Sequence, residues 1–150
     1  MKKTFQGRPV VPGAVTAPAV VSHGGFNTLA SFQKSLLAKK TEAVCGDQNN
    51  PDLYNKLISG RALCLPKTIG STTGGLVLHT AAAMGAAPAA MLFSEPIDSL
   101  AAAGAILAAV WTPNSIPAVD NLGQDFLDYV QDGMTVEVAA DGTVTVSDGE

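Results

Sequence analysis

The chain has 150 residues, 47% of them hydrophobic, a formal net charge of −4 and a sequence pI of about 5.0. This length and apolar content suffice for one domain with a buried core, which we expect to span residues 1–150. The acidic balance and the lack of a basic cluster argue against nucleic-acid binding, because neutralising phosphates requires grouped Lys and Arg side chains.

The uncharged stretch 68–94 also argues against a membrane span. It contains glycines, a proline and several hydroxyls, and much of its apolar content is alanine. A spanning helix needs about 20 strongly apolar residues without such breaks. We therefore expect a soluble fold and a cytoplasmic location. Cys45 and Cys64 are far apart and lack a C-x-x-C spacing, so free thiols in a reducing compartment are expected.

Strands and helices are predicted to alternate through the middle of the chain. The predicted strands are residues 5–11, 14–22, 61–65, 89–93, 116–119, 134–138 and 143–146. The predicted helices are 26–40, 76–84, 98–111 and 123–129, with a short helical turn over 52–59. Residues 61–93 predict one right-handed parallel βαβ unit, and Asp141-Gly142 predicts a hairpin. Pro18 and Pro117 favour edge or irregular strand positions.

The loop 67–75 connects the buried strand 61–65 to the helix 76–84. Its sequence is Lys67-Thr68-Ile69-Gly70-Ser71-Thr72-Thr73-Gly74-Gly75. The first N–H groups of a helix lack intrahelical partners, and hydroxyls and glycines let them face a ligand. The helix dipole favours negative charge at Ser71. Ser71 is therefore a candidate base or carboxylate-binding group, and the alternative is a plain N-cap.

Other chemistries fit the sequence less well. A Walker loop ends in Gly-Lys-Ser/Thr, whereas here Gly74-Gly75 leads into Leu76. A nucleophile elbow has the pattern Gly-x-Ser-x-Gly, whereas here Ile69 stands where the first glycine would be. Two histidines are too few for a typical zinc site. His79 is expected to be a buried core residue, whereas His23 and Glu95 are candidates to line a cleft.

Beyond the loop, short segments rich in glycine and proline stand in a specific order. They are Gly7-Arg8-Pro9-Val10-Val11-Pro12-Gly13-Ala14, Leu63-Cys64-Leu65-Pro66, Gly70-Ser71-Thr72-Thr73-Gly74-Gly75, Ala87-Pro88-Ala89-Ala90, Glu95-Pro96, Ile116-Pro117-Ala118-Val119 and Asp132-Gly133. This order covers nearly the whole chain and resembles the small, swivel-type subunit of the aconitase X family. The resemblance implies an α/β swivelling β/β/α domain. Its sheet is barrel- or sandwich-like with flanking helices, and one central βαβ unit carries the serine loop.

The resemblance also implies an activity. Family members dehydrate hydroxy acids, and a large subunit completes the active site and carries an iron–sulfur cluster or metal, so no cofactor is expected on this chain alone. The family's proton acceptor corresponds to Ser71. The residues expected to bind substrate around it are Gly70, Thr72, Thr73, Lys67 and Asn27. A helix N-terminus stabilises negative charge by only about 0.3–1 kcal/mol at exposed sites. Most alkoxide stabilisation is therefore expected from the large subunit, and the chain should be inactive alone.

The residue before Gly70 bears on the substrate. Archaeal relatives that handle mevalonate 5-phosphate commonly carry an arginine there, whereas this chain has Ile69. An apolar residue suits an unphosphorylated imino acid better. We therefore expect dehydration of cis-3-hydroxy-L-proline to Δ1-pyrroline-2-carboxylate, with mevalonate 5-phosphate as the alternative. A regulatory or carrier domain docking on a partner enzyme and a free-standing small-molecule binder are the rival classes.

Overall fold

The computed structural model describes residues 2–39, 41–70 and 73–148, and these form strands and helices in alternation. The strands are β1 Lys2–Gln6, β2 Arg8–Val11, β3 Val15–Val21, β4 Phe26–Asn27, β5 Ala62–Leu65, β6 Thr68–Ile69, β7 Ala90–Phe93, β8 Ala118–Asp120, β9 Thr135–Val138 and β10 Thr143–Ser147. The helices are α1 Thr28–Leu37, α2 Gly74–Ala83, α3 Ser99–Trp111 and α4 Gln124–Tyr129. No helix in this described part is long and apolar enough to cross a membrane.

Eight strands form one mixed sheet in the order β1-β10-β9-β3-β5-β7-β8-β2. The neighbours β3, β5, β7 and β8 are parallel, and the other pairs are antiparallel. The two edge strands, β1 and β2, are consecutive in the chain and only Gly7 separates them. The sheet must therefore curl until its edges meet, and the N–H of Gly7 donates to the carbonyl of Gly142 at 3.0 Å.

The curled sheet has an apolar core on each side. In β5, Leu63 and Leu65 belong to one buried cluster together with residues of α1, α2 and α3. Ala62 and Cys64 belong to the other, which contains the small side chains of the antiparallel strands and Phe126 of α4. This alternation follows from the two-residue period of a strand. The barrel-like sheet with flanking helices is confirmed.

The predicted βαβ unit and hairpin are also confirmed. Strand β5 is parallel to β7 with α2 between them, and Gly85 has a φ of +73° just after that helix. Such a positive φ is typical of a helix C′ residue, where glycine avoids a steric penalty. Strands β9 and β10 pair antiparallel around Asp141-Gly142.

Several local predictions were wrong. Residues 5–11 form two strands, because the chain crosses at Gly7 from one sheet edge to the other. The predicted helical turn is limited to the start of 52–59, where the N–H of Tyr54 donates to the carbonyl of Asn50 at 2.9 Å, and Leu57 forms an isolated bridge with Val44. Phe26 belongs to a strand that precedes α1. The two-residue parallel pair of β4 with β6 was not expected. It forms because the segments after β3 and β5 leave the sheet side by side.

Both prolines lie inside the sheet, not at its edges. The N–H of Ala19 donates to the carbonyl of Met134, the residue before β9, at 2.8 Å, so by alternation the nitrogen of Pro18 faces away from β9. It lies just before β3 begins to pair with β5 at Ala19, where no ladder bond is lost. Pro117 immediately precedes β8, and its carbonyl accepts from Met91 at 2.9 Å. A proline at the start of a strand is tolerated because its nitrogen has no hydrogen bond to donate to the sheet.

Candidate functional site

The parallel strands bring several predicted site segments to one edge of the sheet. The chain segments after β3, β5 and β7 leave at this carboxyl edge, where ligands of open α/β sheets usually bind. Backbone hydrogen bonds tie the segments together: Phe26 donates to Lys67 at 2.9 Å, and Ser94 donates to Leu65 at 3.0 Å. The loop that follows β5 is therefore flanked by the other two segments.

Gly70 and Asn27, two of the predicted substrate-binding residues, are in contact. Gly70 has a φ of +101°, and a Cβ placed on it would lie 2.7 Å from Nδ2 of Asn27. The Oδ1 atom of Asn27 accepts from the N–H of Ala30 at 3.0 Å and caps α1. One amide group thus caps α1 and packs against the backbone of Gly70.

The remaining predicted residues lie along the same loop. Lys67 is exposed, directly before β6. Thr73 is exposed at the N-cap of α2, and its carbonyl accepts from Val77 at 3.0 Å. Ser71 and Thr72, the predicted base and a predicted substrate-binding residue, lie outside the described residues.

A cleft of about 170 Å³ lies beside this loop. It is lined by Thr28, Thr68, Ile69, Gly70, Gly74, Asp98, Leu100 and Ala101. The hydroxyl of Thr68 donates to Asp98 Oδ1, and Asp98 Oδ2 accepts from the N–H of Ala101 at 2.9 Å. Asp98 therefore both caps α3 and attaches β6 to that helix. The cleft is smaller than typical ligand pockets of about 300–1,000 Å³.

Sequence reasoning missed Thr68 and Asp98 as cleft residues. Asp98 was recognisable only as a helix N-cap, and no local pattern indicates that its carboxylate also meets a hydroxyl 30 residues earlier. A larger cavity of about 590 Å³ lies between α1 and the loop around Cys45 and Tyr54. None of the predicted site residues lines it, so the smaller cleft remains the candidate.

Charged groups surround the same sheet edge. Asp120, at the end of β8, is fully buried and accepts from Arg8 Nε at 2.9 Å and Arg8 Nη2 at 2.6 Å. It also accepts from the N–H of Ile97 at 2.8 Å. The hydrogen bond to Asp120 and the charge of that carboxylate raise the pKa of Arg8. Glu95 is exposed after β7 but is not among the residues that line the 170 Å³ cleft, and His23 Nδ1 lies 3.2 Å from Asp52.

The model of a family described as "Aconitase X swivel domain" matches residues 4–146 of this chain. The chain belongs to this family. Two relatives named phosphomevalonate dehydratase small subunit are similar over 142 residues, or 95% of the chain. The one from Methanocella arvoryzae is 34% identical with 96% of its length covered, and the one from Aeropyrum pernix is 30% identical with 92% covered.

The fold comparison agrees with the family assignment. The crystal structure titled Thermococcus kodakaraensis aconitase X (holo-form) superposes with a TM-score of 0.80 at 25% identity. The match covers 96% of this chain and 98% of that one. The aconitase X resemblance and its swivel-domain fold are thus confirmed.

The described residues of this swivel domain do not fit a metal or iron–sulfur cluster. Across residues 2–39, 41–70 and 73–148, no three His, Cys, Asp or Glu side chains converge as metal ligands. Cys45 and Cys64 are both buried, in the clusters on opposite sides of the sheet. Burial, with a smaller effect of the Asp132 charge, raises the pKa of the Cys64 thiol. His79 is half-buried on α2, so the prediction of a fully buried histidine was wrong.

Proposed function

We propose that this chain is the small subunit of a two-subunit dehydratase, with a large subunit that closes the cleft beside the 67–75 loop. The observation that carries the proposal is the near full-length similarity to proteins named as dehydratase small subunits. The small cleft supports it, because a site of 170 Å³ needs a second wall to enclose a substrate. The cluster or metal predicted for the enzyme would then belong to the large subunit.

Phosphomevalonate is the substrate that the relatives favour. Relatives that bear the name phosphomevalonate dehydratase small subunit are 28–41% identical to this chain. In this chain Lys67 is an exposed cation at the start of the loop, and an ammonium group can bind phosphate as a point charge. The imino acid expected from the sequence, cis-3-hydroxy-L-proline, therefore becomes the second candidate substrate.

cis-3-Hydroxy-L-proline remains the second candidate because of Ile69. This residue is 50% exposed and lines the cleft directly beside Gly70. Its Cγ2 would lie 2.6 Å from a Cβ on Gly25, so the two segments pack closely there. An isoleucine at this place offers apolar contact to a ring and no hydrogen-bond donor to a phosphate.

In the proposed reaction Ser71 takes the proton next to the substrate carboxylate, the electron pair of that C–H bond forms a double bond to the adjacent carbon, and the hydroxyl on that carbon leaves as hydroxide, so that the two steps together remove one water. Gly70, which packs against Asn27, leads into Ser71, and α2 begins three residues after Ser71 at Gly74. The dipole of α2 favours the alkoxide, but a serine also needs cationic groups to act as a base, which we assign to the large subunit. The loop hydroxyls and N–H groups of Thr72 and Thr73 would hold the carboxylate.

The test is co-production of this chain with an aconitase X large subunit from the same organism, followed by assays with both acids. We expect water loss from phosphomevalonate by the complex and no turnover by either subunit alone. Ser71→Ala should lower turnover by about 10²–10⁴-fold while the complex still assembles. Ser115→Ala, at an exposed serine after α3, is the matched control and should keep full turnover.

The same assays distinguish the rival classes. Turnover of cis-3-hydroxy-L-proline but not of phosphomevalonate would identify the second candidate as the substrate. Full turnover by Ser71→Ala would make this chain a carrier or regulatory subunit. Tight binding of either acid to the isolated chain in calorimetry would indicate a free-standing binding protein, and it would contradict a shared site.

A further inference from the structure

Helix α3 is apolar on its exposed side as well as on its buried side. Its buried residues are Ala101, Gly104, Ala105 and Ala108. Its exposed large side chains, which we call the α3 face, are Leu100, Ile106, Leu107, Val110 and Trp111. Trp111 is 73% exposed and Val110 is 69% exposed. Charge is absent from the sequence between Asp98 and Asp120.

The α3 face would supply more than half of one side of a standard protein interface. Residues 100, 107 and 110 stand at helical spacing along one stripe, with 106 and 111 beside it. The exposed parts of these five side chains amount to roughly 500 Å², whereas a standard interface buries about 800 Å² on each partner. A patch of this size is as large as the largest that a typical monomer leaves in water, and such patches are often functional. A helix that is hydrophobic all round is normally covered.

The α3 face is continuous with the candidate active-site cleft. Leu100 belongs to both, and Asp98, which caps α3, also lines the cleft. From this point the 13-residue helix extends roughly 20 Å to Trp111. A protein that closes the cleft at Gly70 would therefore meet the first turn of α3 and could continue along the whole face.

We propose that the α3 face is the docking surface for the large subunit, which would present an uncharged apolar surface to it. This inference rests on the proposed function, because that function supplies the partner. Burial of Val110 and Trp111 would drive assembly, and the contact at Leu100 would seal the cleft against water. The small subunit would then be held by a helix that takes no part in the chemistry.

The first test introduces charge into the face. Val110→Glu and Leu107→Glu should weaken binding of the large subunit at least 100-fold, measured by analytical ultracentrifugation of the mixed subunits. Leu37→Glu is the matched control, because Leu37 is 75% exposed at the end of α1 and outside this face. It should bind as the wild-type chain does. Circular dichroism of each isolated variant checks that the exposed substitutions leave the fold intact.

The second test uses the fact that the chain has a single tryptophan. With 5-fluorotryptophan incorporated only into this chain, the ¹⁹F resonance reports Trp111 alone. We expect it to shift when unlabelled large subunit is added, because the indole leaves water. The inference would be overturned if the resonance did not shift and the Val110→Glu variant bound the large subunit normally. This would hold even for a wild-type complex that is an active dehydratase.

Two further outcomes are decisive. A shifted resonance and loss of assembly in Val110→Glu, without turnover of either acid by the wild-type complex, would leave the docking surface standing and remove the proposed function. Self-association of the isolated chain that Val110→Glu abolishes, with unchanged binding of the large subunit, would show that a second copy covers the face and would overturn the inference.

Discussion

Gly70 shows at the scale of one residue why the loop before the proposed base needs glycine. Its φ of +101° is a conformation that L side chains rarely adopt, and the Asn27 amide fills the space where a Cβ would lie. A side chain here would strain the backbone and also displace the group that caps α1. Asn27 therefore both caps α1 and packs against the backbone of Gly70.

Gly70→Ala should destabilise the chain by more than about 1 kcal/mol, since alanine replaces glycine at a positive φ. It should also lower dehydratase turnover in the assembled complex at least tenfold, because the Asn27 contact sets the path into Ser71. Urea denaturation and the dehydration assay measure the two effects.

Gly60→Ala is the control for this prediction. Gly60 has a φ of +70° but nothing within 4 Å of an added Cβ, so this variant tests the backbone cost without the contact. It should lose stability and keep its turnover. Equal turnover in the two variants would show that the Asn27 contact does not position the loop.

At the scale of elements, α2 and α3 cross at two glycines. A Cβ on Gly104 would lie 2.6 Å from the carbonyl oxygen of Gly75 and 2.8 Å from its Cα. These are backbone atoms that cannot rotate away, so the close approach of the two helices depends on the missing side chain. The crossing places the start of α3, with Asp98, against the cleft.

Gly104→Ala should destabilise the chain by about 1–3 kcal/mol through overpacking. The sign of the change in stability is informative, because alanine inside a helix is normally more stabilising than glycine by about 1 kcal/mol. Gly24→Ala, where nothing lies within 4 Å of the new Cβ, should change the free energy of unfolding far less. A stabilised Gly104→Ala variant would mean that the helices separate at little cost.

The hairpin of β9 and β10 predicts a dependence on acid. Hydrogen bonds from Thr143 lower the pKa of Asp141, and the backbone bond is 3.0 Å long. The charged form is thus favoured in the folded state. Its stabilisation is complete above the unfolded pKa of about 3.9 and is lost as the pH falls through the lower folded value. The melting temperatures of the wild type and Asp141→Asn should converge below about pH 4, and a constant difference would contradict this.

Elements with a local signal were predictable from the sequence, and contacts between distant elements were not. The βαβ unit and the final hairpin follow from hydrophobic period, glycine caps and the Asp141-Gly142 turn. Nothing local shows that Gly7 divides one apolar run into two edge strands, or which side of β3 the nitrogen of Pro18 faces. The sequence predicted that Asn27 and Gly70 belong to the same site, but it did not predict that they pack against each other. The bond from Thr68 to Asp98 depends on where α3 packs.

At the scale of the whole molecule, the curled sheet makes its two cores depend on each other. Strand β5 supplies Leu63 and Leu65 to the cluster under the helices and Ala62 and Cys64 to the cluster inside the curl. Neighbouring residues of one strand thus hold opposite layers together. Loss of β5 from the sheet would expose both cores at once, so we expect them to unfold as one cooperative unit.

The two cysteines test this coupling. Cys45 and Cys64 are fully buried in different clusters, and the raised pKa of Cys64 further lowers its thiolate fraction in the native state. Each thiol should therefore react with an aromatic disulfide reagent only after the chain opens. In Cys64→Ala and Cys45→Ala variants matched for stability, the remaining thiol should be labelled at the same rate as urea is raised toward the midpoint. Faster labelling of Cys45 without urea would show that the helical layer opens by itself, and the single-unit account would then fail.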